Sequence, residues 1–67
     1  MDIKKRLGNN LKKLVAARKT SLERFAYEND ISKGYIYDVA NGKANVSITM
    51  LEKLAKGLKV KARDLIS

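Results

Sequence analysis

The chain has 67 residues, 45% of them apolar, with fifteen Lys and Arg against seven Asp and Glu and no Cys, His, Pro or Trp. A thiolate nucleophile, an imidazole base and the common zinc sites are excluded, four scattered glycines make no phosphate loop, and no two carboxylates form a pair poised for acid–base work. What remains is one small domain over residues 1–67, not an enzyme and with no cofactor implied. It must be held by its apolar core alone, and its apolar runs are too short for a membrane span or a secretory signal.

The formal charge of +8 invites a polyanion as partner. Its distribution is uneven. Residues 1–19 carry seven basic and one acidic side chain, residues 20–47 three and four, and residues 48–67 five and two. The middle of the chain is nearly neutral, and a nucleic-acid reading has to account for that.

In chain order, Ile3, Leu7, Leu11, Leu14 and Val15 form one apolar stripe at helical period. Asp2 is a suitable N-cap, and Gly8 within the helix marks a close helix approach. Thr20 with Glu23 fits a capping box for the next helix, and Ser21 would cap it one residue later. Leu22, Phe25 and Ala26 face inward, and Asn29-Asp30 end it with residues that tolerate a left-handed turn. Ser32 caps a third helix in which Ile36, Val39 and Ala40 face inward and Lys33, Gly34, Tyr37 and Asp38 outward, with Tyr35 open to either. Ile31 can staple onto Ile36, and Asn41-Gly42 stops the helix. Ser47 caps a fourth helix with the stripe Ile48, Leu51, Leu54, Ala55 and Leu58, and Leu65 and Ile66 belong to a short, poorly capped fifth. The expected fold is all-α, a five-helix bundle, in which helices over about 21–29 and 32–41 make a helix-turn-helix.

The run Ser21-Leu22-Glu23-Arg24-Phe25-Ala26, then Ile31-Ser32, Tyr35-Ile36, Asn41-Gly42-Lys43 and Leu51, Leu54, Ala55, Leu58 and Val60 resembles the phage Cro/repressor type of helix-turn-helix, the XRE family, over roughly residues 5–66. Three departures stand out. Leu22 occupies the position where such proteins carry a phosphate-gripping Gln, and Asp30 replaces a turn Gly. Val15 and Ala40 replace a buried Arg–Glu pair, and the two charges are lost together, so neither is left unpaired.

The resemblance implies a lambda-repressor-like DNA-binding domain and sequence-specific control of transcription, with repression the expected sense. The third helix then enters the major groove, where Lys33, Gly34, Tyr35, Tyr37 and Asp38 meet the bases. Ser21, Ser32, Asn41 and Lys43 are the implied phosphate contacts. Helix N-termini carry partial positive charge, so this face needs few lysines, and the cations at both chain ends supply long-range attraction. The expected partners are double-stranded DNA and a second copy of the chain docked through Leu58, Val60, Leu65 and Ile66, with no membrane or small-molecule ligand evident. The expected location is the cytoplasm, on the nucleoid. The chain reads either as a complete minimal regulator or as the DNA-binding domain of a longer one. The alternative function is a protein-interaction or antitoxin-like module on the same fold, which Leu22 and the neutral middle segment would favour.

Overall fold

Each of the first four helices begins where a short polar side chain accepts a backbone N–H that the helix leaves free. A computed structural model describes residues 2–67. Among them α1 spans Ile3–Ala17, α2 Leu22–Glu28, α3 Lys33–Ala40, α4 Ile48–Leu58 and α5 Ala62–Ile66. Asp2 Oδ1 accepts from Lys4 N at 2.9 Å. Ser21, Ser32 and Ser47 Oγ accept from Arg24, Tyr35 and Met50 N at 3.0, 3.1 and 3.0 Å. Ser21, not Thr20, is thus the α2 cap, and the Thr20 hydroxyl is left buried without a partner. α5 lacks a side-chain acceptor at its start, but Asp64 reaches back to accept from Lys61 N at 3.0 Å.

The helices close around one apolar cluster. Leu7, Leu11 and Val15 from α1 meet Phe25 and Ala26 from α2, Ile36, Val39 and Ala40 from α3, Leu54, Ala55 and Leu58 from α4, and Leu65 from α5. Ile31, just ahead of the α3 cap, is buried in the same cluster as Ile36, as a hydrophobic staple requires. α1 is the hub, packed against α2, α3 and α5, while α4 packs chiefly on α5. The α1–α3 approach depends on Gly8, where a Cβ would lie 2.5 Å from the Ala40 carbonyl oxygen and 2.7 Å from that of Val39. This contact fixes α3 relative to the rest of the bundle. Gly42 ends α3 at φ +74° and lies against Lys5. Asp30 supplies the left-handed residue of the α2–α3 turn at φ 56°, and Lys53 Nζ donates to its carbonyl at 3.4 Å.

Packing overturns two expectations. Ile48 belongs to the α4 stripe, yet it is 80% exposed. The core takes Leu54, Ala55 and Leu58 from the later turns of α4, and Ile48 at its first position lies outside that cluster. Conversely, Leu58 and Leu65, expected at a dimer surface, are only 2% and 0% exposed and have no surface left for a second copy. Asn10 explains part of this: its Nδ2 donates to the carbonyls of Leu65 and Ser67 at 2.8 and 3.1 Å, holding α5 against α1 with Leu65 inward. Val60 and Ile66 remain half-buried.

Candidate nucleic-acid interface

α3 presents its outer face because its apolar positions are used up at 36, 39 and 40. Lys33, Gly34, Tyr37, Asp38 and Asn41 are all exposed and lie on one side of the helix. A helix with its side chains is about 10–12 Å across, a match for a major groove about 12 Å wide. Nothing lies within 4 Å of the place a Cβ would take on Gly34, so the backbone there is open to close approach. Tyr35 is different. It is half-buried and packs against the core, so less of its ring faces outward than that of Tyr37.

The four expected phosphate contacts fall around this helix. Ser21 and Ser32 are exposed N-caps whose oxygens accept from the backbone, leaving each hydroxyl proton free to donate outward. Asn41 is the C-cap of α3, and Lys43 stands exposed just beyond it. Ser47 at the start of α4 is a third exposed serine cap with the same chemistry. Its N-cap signal is legible in the sequence. Leu22 packs against the core as a half-buried side chain, so the residue in the usual Gln position contributes apolar contact to the bundle.

Two exposed ion pairs involve α2, and the one that joins it to α3 belongs to this face. Arg24 Nε lies 3.4 Å from Glu28 Oε2 within α2, and Lys33 Nζ lies 2.8 Å from Glu23 Oε2, joining α3 to α2. The hydrogen bond and charge of Glu23 raise the Lys33 ammonium above its usual value, and Tyr37 adds a smaller push in the same direction. Lys33 is therefore fully charged at neutral pH. The Glu23–Lys33 pair spans ten residues across a turn, and no helical spacing signals it. Glu23 and Lys33 share the walls of a shallow groove with Ala26, Tyr27 and Ile31, and Tyr27 stands 84% exposed there.

No group of three or more acidic or metal-ligating residues comes together among the described residues, nor is any helix long and apolar enough to cross a membrane. The remaining polar cleft, about 370 Å³ between the α1–α2 turn and Gly57, is lined by Arg18, Lys19, Arg24 and Glu28 and lies on the other side of α2 from the Lys33 groove.

Comparison with known proteins agrees with this geometry. The HTH_3 helix-turn-helix family model matches residues 11–65. The chain is 46% identical to the control protein C.MunI of a Mycoplasma species, over 98% of this chain and 90% of that protein. Its structure is similar to the restriction-modification controller protein C.AhdI from Aeromonas hydrophila, with a TM-score of 0.86 at 31% identity over 92% of this chain and 94% of that one. The hypothetical transcription factor NHTF from Neisseria shares the fold, with a TM-score of 0.93 at 24% identity over 98% of this chain and 76% of that one. The outward α3, the serine-capped helices around it and the match over 11–65 lead to one conclusion: the chain belongs to the HTH_3 helix-turn-helix family and is a DNA-binding transcription regulator.

Proposed function

We propose that the chain is a controller of restriction-modification genes that binds a two-fold operator as a dimer, one α3 in each of two major-groove half-sites. The observation that carries this reading is its likeness, along nearly the whole chain, to the control protein C.MunI and the restriction-modification controller C.AhdI. Lys33, Tyr37 and Asp38 read base edges, with Lys33 donating to guanine O6 and N7, and Tyr35 contributes only its exposed edge. Gly34 admits the DNA close to the backbone, while Ser21, Ser32, Asn41, Lys43 and Ser47 hold phosphates. The site of action is the nucleoid, in the cytoplasm.

The dimer forms on the surface left by the uncovered first turn of α4. Ile48 lies one turn before Leu51, and Leu51 lines an apolar groove of about 310 Å³ with Ile3, Val46 and Ile66. Of the residues expected from sequence, Ile66 belongs to this surface and Leu58 and Leu65 do not. Ile48→Asp, at an exposed position, should keep the helical content of the wild type while sedimentation shows a monomer and the melting temperature loses its concentration dependence; a dimer that survives the substitution would move the interface elsewhere.

The decisive experiment is selection of bound duplexes from a random pool at about 150 mM salt, where non-specific binding is weak. The expected outcome is an enriched pseudo-palindrome with half-sites about one helical turn apart. Binding without enrichment would remove the operator reading, and absence of binding would favour the interaction module.

A further inference from the structure

The Glu23–Lys33 contact is the shorter of the two side-chain ion pairs found among the described residues. Both side chains are more than half exposed, and exposed pairs add little to folding stability. Its consequence lies in what it does to Lys33. An unpaired ammonium beside DNA neutralises whichever phosphate is nearest and releases a counterion, a gain that is the same on every sequence. Lys33 stands at the first position of α3, where such a gain would blur the reading of bases. Glu23 removes that tendency in two ways: it cancels the charge of Lys33, and its own carboxylate repels phosphate.

An ammonium has three N–H donors, and Glu23 engages one of them. The rest suit a guanine edge, which offers O6 and N7 side by side in the major groove. We propose that Glu23 is a positioning residue for specificity: held 2.8 Å from Lys33 across the α2–α3 groove, it withholds that cation from the phosphates of arbitrary DNA and leaves it available to a guanine. The proposal rests on the reading of Lys33 as a base contact. It also explains why the helix-turn-helix is the electrically quiet part of a chain of charge +8: there Glu23 offsets Lys33 as Glu28 offsets Arg24.

The test uses the full chain as wild type, Glu23→Gln, Glu23→Asp, Lys33→Ala and the Glu23→Gln/Lys33→Ala double variant. Affinities are measured on the selected operator and on random duplex of equal length, over about 50 to 200 mM salt. Glu23→Gln should bind random DNA about fivefold more tightly at the low-salt end, steepen the salt slope by about 0.9, and lower the operator-to-random ratio about tenfold. Glu23→Asp, which keeps the charge, should stay within about twofold of wild type on random DNA. In the Lys33→Ala background, Glu23→Gln should leave the ratio unmoved. Melting temperatures should agree among all five proteins, since neither side chain is in the core.

A ratio that survives Glu23→Gln but falls in Lys33→Ala would overturn the role of Glu23 and keep that of Lys33. An equal drop in both backgrounds would reduce Glu23 to a general charge effect, overturning the proposal. A ratio untouched by Lys33→Ala would instead remove the base-contact assignment, and the proposal with it.

Discussion

The basic first helix and the near-neutral helix-turn-helix differ in charge, and the proposed reading gives them different shares in DNA recognition. α1 exposes or half-exposes Lys4, Lys5, Arg6, Lys12 and Lys13 on the side away from its apolar stripe, and among the described residues none is paired with a carboxylate. In α2 and α3 both cations are matched by a glutamate. Unpaired surface charge acts at a distance of about a Debye length and attracts any phosphate, whereas a matched pair acts only at contact and only where the geometry suits. Under the proposed function, a small regulator thereby keeps strong attraction to DNA without letting that attraction swamp base discrimination. The two regions are nonetheless one rigid object, because Gly8 of α1 sits directly against the carbonyls that end α3.

The largest effect should come from breaking that contact. In an open helix Gly→Ala stabilises by about 1 kcal/mol, but at Gly8 the added Cβ meets backbone 2.5 Å away. Gly8→Ala should destabilise by about 2–3 kcal/mol in urea denaturation and lose operator binding as α3 shifts. A neutral or stabilising result would show that α1 and α3 can separate freely.

Substitutions in the two regions sharpen the division. Lys33→Ala should cost about 1–3 kcal/mol on the operator and far less on random DNA, whereas Lys43→Ala should weaken both alike and reduce the salt slope by about one. Equal losses on both DNAs for both variants, read by fluorescence titration, would erase the distinction between reading and holding.

Gly34 is the counterpart of Gly8. With open space around it, Gly34→Ala should raise stability by about 0.5 kcal/mol while weakening operator binding, since the methyl would occupy the side from which the proposed operator approaches. Unchanged binding would place the DNA farther from this backbone. The smallest effect is expected at Thr20, whose buried hydroxyl has no partner: Thr20→Val should be neutral or stabilising by up to about 1 kcal/mol in thermal melts, with no change in DNA affinity.

Local signals in the sequence determined much of this protein. Asp2, Ser32, Ser47 and Gly42 cap the helices as expected, because capping is chemistry between neighbours in the chain. The inward set of α3 was readable from its period, and with it the outward set that forms the candidate interface. Between Thr20 and Ser21, sequence left the cap open and geometry chose Ser21. What only the tertiary structure decided concerns partners distant in the chain. Ile48 is exposed because it lies outside the cluster that the later turns of α4 enter, and Leu65 is buried because α5 docks on α1, where Asn10, fifty-five residues away, holds its carbonyl. Lys33 is restrained because the turn brings Glu23 within 2.8 Å. Periodicity reports which face of a helix is apolar. Whether another element is long enough and close enough to cover that face, or to neutralise a charge on the opposite one, is settled when the helices pack.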